Sequence, residues 1–337
     1  MINSIHIENY KCIEDANIEF KPLTIVTGLN STGKSTLLQA VLLANWSSVK
    51  QFKISQSLST DFEVIRCKNI NKERILVKAN YSNGTNKLFD CSSSSITFTD
   101  SSEDQQQYGI NFFYLKSVRG IGNFIWINNI DKTKVDFSDG AGAFYIYELE
   151  KTMQVIPELR KYEESDTLQA QLNFWLSYIT SQNIELSTEK SSEEMLFIKY
   201  KSNGIPNISP LNLGTGVTYL AEVLITCLRA KKDDVVVIEN PEIHLHPLAQ
   251  AKLGEFLAFI ANAGIQVIVE THCEHLINRV QYEVYKHNLS HDAVTILYKK
   301  STDTPFEEIR LKKGGNYTVD FPDGFFDATL TELMDME

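Results

Sequence analysis

The sequence predicts an α/β fold built on a parallel sheet, and two stretches carry that prediction. Downstream of Gly216 helical and strand patterns alternate: VTYLAEVLITCLRAK (217–231), VVVIEN (235–240), PLAQAKLGEFLAFIANA (247–263) and IQVIVETH (265–272). Near the start, the apolar, β-branched run LTIVTG (23–28) leads through a glycine-containing loop into STLLQAVLLANW (35–46), which has helical length and apolar spacing. Buried strands alternating with helices are the pattern of βαβ units, whose strands must lie parallel.

The remaining elements follow in chain order. SIHIENYKCI (4–13) and ANIEFKP (16–22) alternate apolar and polar residues and predict two strands. FKISQSLSTDFEVIRC (52–67) fits neither period cleanly. RILVKANYSNGTNKLFD (74–90) predicts a hairpin turning at Asn83-Gly84. Residues 91–107, rich in Ser, Asp and Gln, predict an exposed loop. NFFYLKSVRG (111–120) predicts a strand running into a turn. Residues 143–182 predict helix interrupted at Pro157, and IELSTE (184–189) and MLFIKYKSNG (195–204) predict a return to strands. Neither an internal repeat nor a long heptad run is present, so no extended coiled-coil arm is expected.

Composition narrows the function classes. The 337 residues are 43% hydrophobic and 22% charged, ordinary for a globular protein of one large domain. No apolar run approaches the ~18–20 residues that span a bilayer. The opening MINSIHIENYKC lacks the basic and apolar regions of a signal peptide, so a cytoplasmic location is expected. Five scattered cysteines form no CxxC pair, which fits a reducing compartment better than a disulfide framework. A net charge of −11 argues against a chain coated in nucleic acid. Residues 50–78 depart from it, with Lys50, Lys53, Arg66, Lys68, Lys72, Arg74 and Lys78 against Asp61, Glu63 and Glu73. Such a run is either a solvated strand face or a small patch for DNA, RNA or an acidic partner.

The clearest chemistry is GLNSTGKST (28–36), a GxxxxGK[ST] loop between a buried strand and a helix. Gly28 and Gly33 permit the tight loop in which Asn30, Ser31, Thr32 and Thr36 bring backbone and side-chain donors to phosphates, and the helix N-terminus adds positive partial charge. Lys34 reaches the β- and γ-phosphates of ATP, and the Ser35 hydroxyl ligates Mg²⁺. In VVVIENPEIHLHP (235–247), Glu239 ends an apolar strand as a candidate Mg²⁺-side acid. His272 ends another and can hydrogen-bond a γ-phosphate. The HLH and HCEH spacings match no zinc signature.

These segments together resemble the ATPase heads of the ABC type in the RecF/SMC/OLD-like group. IHIENYKCIEDANIEFKPLTIVTGLNSTGKSTLLQA (5–40) resembles the group's N-terminal pattern and LNLGTGVTYL (211–220) its signature loop. ENPEIHLHP resembles its Walker B and D-loop, and VETHCEHLINRV (269–280) its H-loop. YLKSVRG (114–120) and FPDGFFD (321–327) resemble a subgroup of bacterial ATPases, several encoded beside antiphage defence genes. Two departures stand out: Asn212 occupies the expected signature serine position, and Val118 a position where the subgroup tends to have an acid. The resemblance implies a single ATPase domain over 1–337 with a mixed sheet. Its parts would be an N-terminal β lobe with the P-loop (1–142), a helical and β insertion (143–210), and a half carrying signature loop, Walker B and H-loop (211–337). It also implies a head-to-tail homodimer in which ATP on one P-loop is covered by the partner's signature loop at Asn212, Gly214 and Gly216.

Asn240 stands where related ATPases carry the glutamate that polarises the attacking water. Asn can orient a water but cannot take its proton. Glu242, two residues on, is the candidate replacement. Two functions are expected to compete. One is an ATPase regulating a partner effector, a nuclease or toxin encoded nearby, in antiphage defence. The other is a repair or chromosome-maintenance clamp on duplex DNA. The 65 residues after His272 contain no Asp-x-Asp metal pair, so nuclease chemistry is not expected on this chain.

Overall fold

The computed structural model describes residues 1–45, 61–101, 111–119, 122–126, 141–191, 194–319 and 321. Strands β1 (Ile2–Tyr10) and β2 (Ile13–Glu19) form an antiparallel pair, followed by β3 (Leu23–Gly28) and helix α1 (Lys34–Asn45). A short helix α2 (Phe62–Ile65) precedes β4 (Arg74–Tyr81), β5 (Asn86–Ser92) and β6 (Ile96–Asp100). These make an antiparallel sheet in the order β2-β1-β4-β5-β6. Asn9 is fully buried at the end of β1 and pins the next crossing. Its amide donates to the carbonyls of Lys72 (3.0 Å) and Arg74 (2.8 Å), while its oxygen accepts from the Cys67 N–H (3.1 Å).

The hairpin expected at Asn83-Gly84 is present as β4 and β5. The exposed loop expected over 91–107 needs correction, because β6 pairs with β5 across a turn of serines. Ser92 N–H donates to the Ser95 carbonyl at 2.8 Å, and Ser95 N–H returns to the Ser92 hydroxyl at 3.1 Å. The turn releases Ile96 and Phe98 to pack inward, with Phe98 5.2 Å from the Phe89 ring. Residues 102–107 lie outside the described residues.

Next come β7 (Phe112–Leu115), β8 (Phe124–Trp126), α3 (Ala141–Glu150), α4 (Leu168–Thr180), β9 (Ile184–Lys190), β10 (Met195–Ser202) and β11 (Ile205–Ile208). The helical interruption expected at Pro157 is longer than one proline requires, spanning 151–167 with a single 3₁₀ turn at Pro157–Leu159. Buried Gln171 organises it. Its oxygen accepts from the N–H groups of Lys161 (2.8 Å) and Tyr162 (2.9 Å), and its amide donates to the carbonyls of Tyr162 and Ser165. Trp175 on α4 anchors this lobe, 4.9 Å from the Phe256 ring and 5.2 Å from Phe259.

The last third supplies α5 (Pro210–Leu213), α6 (Thr215–Leu228), β12 (Val235–Glu239), α7 (Pro247–Asn262), β13 (Gln266–Glu270), α8 (Glu274–Tyr285), β14 (Val294–Lys299) and β15 (Glu307–Arg310). The central sheet runs β15-β14-β3-β13-β12-β7, parallel except for the β14–β15 edge. Every residue of β3, β12, β13 and β14 is buried, as expected of strands covered on both faces. In β12, Val235 and Val237 face the core shared with α1 and the N-terminal sheet, whereas Val236 and Ile238 face the core shared with α6, α7 and α8. The sheet therefore separates two apolar layers, and its C-terminal strand ends converge on one rim, where ligands of open α/β sheets bind. Among the described residues no helix is long and apolar enough to cross a membrane.

Candidate nucleotide site

The rim carries a cavity of about 600 Å³ lined by Lys11, Cys12, the whole loop from Asn30 to Thr36, Glu270 and His272. A close approach at Gly28 sets the start of the loop. A Cβ on Gly28 would lie 2.1 Å from the Lys299 carbonyl oxygen, so only glycine lets β3 end against β14 there. The Leu29 N–H then donates to that carbonyl at 3.2 Å. Thr32 closes the loop by donating to the Leu29 carbonyl at 2.9 Å. Cys12 Sγ, on the β1–β2 turn beside Gly33, donates to Thr36 Oγ1 at 3.6 Å.

Lys34 begins α1 with its amino group bonded to the Leu29 carbonyl, inside its own loop. Burial lowers its pKa, and the nearby Glu270 carboxylate partly opposes that. Lys11, which the sequence reading passed over, adds a second amino group to the cavity wall and donates to Gln39 on α1 at 2.5 Å. Two ammonium groups, a buried one on Lys34 and a partly buried one on Lys11, a helix N-terminus and a row of loop N–H groups suit a polyphosphate.

The acids are arranged by strand order. β13 lies between the P-loop strand β3 and β12, so Glu270 pairs in register with Val26 on one side and with Glu239 on the other. The Ser35 hydroxyl donates to Glu270, 3.1 Å from Oε1 and 2.9 Å from Oε2. Burial pushes the Glu270 carboxyl up to about 7, against the Ser35 hydrogen bond and with help from the neighbouring Glu239. Glu239 is one strand further out, where its two oxygens accept from the Tyr114 hydroxyl and, at 3.0 Å, the Ser117 N–H. Glu242 Oε1 accepts from Thr271 Oγ1 at 2.7 Å and the His272 N–H at 3.4 Å, and burial raises its pKa. Asn240 adopts a left-handed backbone (φ 43°) and its N–H donates to the Glu270 carbonyl at 2.8 Å. Glu270 and His272 line the cavity, whereas Glu239, Asn240 and Glu242 are not among its lining residues.

His272 stands at the mouth with its pKa lowered by burial and by Lys34, opposed by a hydrogen bond to the Gly28 backbone. A neutral imidazole there can donate to a terminal phosphate. The hydroxyl–carboxylate pair of Ser35 and Glu270 is an oxygen donor set, the kind a hard cation such as Mg²⁺ takes alongside phosphate oxygens.

The second predicted loop lies elsewhere. Asn212 and Gly214 are exposed, and a Cβ on Gly214 would meet nothing within 4 Å. Gly216, in contrast, packs tightly, its Cβ position 2.5 Å from the His244 carbonyl oxygen. Arg119 joins this helix to the strand ends. It and Glu222 on α6 are both fully buried and 3.3 Å apart, and the guanidinium lies 5.2 Å from the Tyr219 ring centroid. Of the basic segment, Lys50 and Lys53 lie outside the described residues. Arg66 and Lys68 pair with Glu63, Lys72 with Glu8, and Arg74 with Asp90.

A P-loop ending a central strand of a mixed sheet, an acid ending the adjacent strand β13, another ending β12 beyond it, and a histidine lining the cavity form the nucleotide-site layout of a P-loop ATPase head. Residues 23–278 match the family described as "AAA domain, putative AbiEii toxin, Type IV TA system", and the chain belongs to that family. A stretch of 59 residues is 36% identical to the OLD nuclease of Thermus scotoductus, covering 17% of this chain and 11% of that protein. Among solved structures, the Smc head bound to the C-winged helix domain of ScpA superposes with a TM-score of 0.56 at 11% identity, covering 93% of this chain and 98% of that one. An Smc head with an extended coiled coil, bound to the C-terminal domain of ScpA derived from Pyrococcus furiosus, gives 0.53 at 11% identity, with 100% and 99% covered. At such identities the likeness is one of fold. The FPDGFFD segment, beyond Phe321, lies outside the described residues.

Proposed function

We propose that this chain binds ATP with Mg²⁺, hydrolyses it slowly, and closes head to tail on a second copy around the nucleotide. Closure then restrains or releases a partner effector, a nuclease or toxin, in bacterial antiphage defence. The observation that carries this reading is a separation: the P-loop lines its cavity, while Asn212 and Gly214, in the loop that resembles a signature loop, stand exposed and outside that lining. A loop built for phosphate but absent from its own chain's phosphate cavity is suited to a neighbour's.

Within the site, the N–H groups of residues 30–36 and Lys34 hold the phosphates, Ser35 and Glu239 serve the metal side, and His272 donates to the terminal phosphate. Mg²⁺, when bound, neutralises charge on the β- and γ-phosphates. Asn240 orients water, and Glu242 takes the proton. The neighbouring cavity of about 690 Å³ between residues 12–18 and 302–306, which shares Cys12 with the phosphate cavity, offers room for the nucleoside.

The effector part of the reading draws on relatives. The family description names a toxin, the Thermus relative is named a nuclease, and the two Smc heads are bound to domains of ScpA. A direct DNA clamp finds less support, because Arg66, Lys68, Lys72 and Arg74 all face carboxylates of the same chain. The test is affinity purification of native chain with and without a non-hydrolysable ATP analogue. A stoichiometric effector subunit whose retention depends on nucleotide supports the reading. Duplex DNA retained by chain alone, lost with salt, would replace it with the clamp.

A further inference from the structure

We propose that Arg119 is a positioning residue for hydrolysis: it ties the turn that holds Glu239 to helix α6, and so couples that acid to the exposed NLGTG loop at the start of the helix. The proposal rests on ATP occupying the P-loop cavity with Glu239 on its metal side.

Three observations carry it. First, the turn after β7 touches both parts. Its Ser117 N–H donates to Glu239 at 3.0 Å, beside the Tyr114 hydroxyl on the other carboxylate oxygen. Arg119, two residues on, lies 3.3 Å from Glu222 and stacks its guanidinium 5.2 Å from the Tyr219 ring centroid, both on α6. Second, α6 also meets the chain beyond Glu242. The Tyr219 ring is 5.7 Å from the His244 ring, and a Cβ on Gly216 would lie 2.5 Å from the His244 carbonyl oxygen. The helix behind the exposed loop is thus fastened to both flanks of the acidic segment. Third, Arg119 is fully buried, yet none of its three guanidinium nitrogens has a hydrogen-bond partner among the described residues. A buried cation so poorly satisfied is a poor device for stability alone, since apolar residues of similar volume often serve as well or better.

The consequence is a short mechanical path of packed groups between two loops. A second copy pressing on NLGTG bears on α6. Arg119 passes that load to the 117–119 turn, and Ser117 passes it to Glu239. Without Arg119 the nucleotide still binds and the pair still closes, but the acid is no longer set by closure.

The experiment uses the double variant Arg119→Met with Glu222→Leu, which removes the pair without stranding a charge, and Arg119→Lys, which keeps the charge without the planar group over Tyr219. Three quantities are measured: Mg·ATP affinity by calorimetry, pairing by light scattering with a non-hydrolysable analogue, and kcat for phosphate release. The double variant should keep affinity and pairing while kcat falls at least about tenfold, because small misplacements of a reacting site cost that much or more. Arg119→Lys should fall between it and wild type. A folded double variant with wild-type kcat makes Arg119 merely structural and overturns the proposal, as does one whose affinity falls in step with its kcat. Should the double variant not fold, Arg119→Lys decides: wild-type kcat overturns the proposal, and a reduced kcat at unchanged affinity supports it. A wild type that binds no ATP overturns the nucleotide site itself, and the proposal with it.

Discussion

Arg119 and Glu222 face each other at 3.3 Å with neither side chain exposed, linking the turn after β7 to the helix that follows the NLGTG loop. Glu222 is the lone charged residue in a helix otherwise packed with apolar side chains, so it needs a cation beside it. Removing one partner strands the other: Arg119→Met should cost about 3–5 kcal/mol of unfolding free energy. Arg119→Met with Glu222→Leu should recover much of that. Denaturant titration of the three variants measures it, and a double variant no more stable than the single one would show that the pair is not the source.

Glu270 makes stability in the absence of nucleotide depend on pH. Its carboxyl is raised from 4.5 to about 7 in the folded chain, chiefly by burial. Below the unfolded value both states hold the proton and nothing is lost. As pH rises through this window the unfolded chain releases its proton first, so stability falls, and the full cost is reached above about 7. That cost is on the order of 3 kcal/mol, Glu270 being buried. Glu270→Gln should therefore melt higher than wild type at pH 8, with the gap closing toward pH 4.5. A gap independent of pH would mean that the carboxyl is not held up by its surroundings.

Gly214 separates charge from strain at the exposed loop. Its backbone is left-handed-like (φ 96°), so any side chain costs roughly 1 kcal/mol there. Gly214→Ala carries that strain alone, whereas Gly214→Glu adds a carboxylate that, in the proposed closed pair, would face a neighbour's phosphates. Light-scattering mass with a non-hydrolysable ATP analogue should show nucleotide-driven pairing in wild type, a weakened response in Gly214→Ala and none in Gly214→Glu. Equal responses from all three would make the loop a simple turn.

Hydrolysis should be slow and should depend on Glu242. Its carboxylate is held by Thr271 and the His272 N–H, and Asn240 ahead of it cannot accept a proton. Glu242→Gln keeps shape and hydrogen bonding while removing the base, so steady-state phosphate release should drop at least ~10-fold. A fast wild type indifferent to Glu242→Gln would place the base elsewhere, with Glu270 the nearest other carboxylate to Ser35.

The P-loop was legible because strand, glycine loop and helix are contiguous and each follows from local residues. Glu270 was not, because its meeting with Ser35 depends on β13 inserting between β3 and β12, a non-local fact of strand order. One signal was available: a carboxylate ending the apolar run VIV is costly to bury without a purpose. Counting charges along residues 50–78 left a solvated strand face and a basic patch both open, because Glu8 and Asp90, the partners of Lys72 and Arg74, come from neighbouring strands that only pairing brings alongside. β6 was hidden behind four serines, whose turn gives no hydrophobic periodicity until Ile96 and Phe98.

The most direct test of the nucleotide site is calorimetric titration of Mg·ATP into wild type and Lys34→Ala, each shown to be folded by its melting profile. Lys34 lines the phosphate cavity at the head of α1, and losing a charged hydrogen bond of this kind is worth about tenfold to a hundredfold in affinity. Saturable binding by wild type that weakens by that factor or disappears in Lys34→Ala is the expected result. Identical affinity in the two folded proteins would contradict the assignment of residues 28–36 as the ATP site.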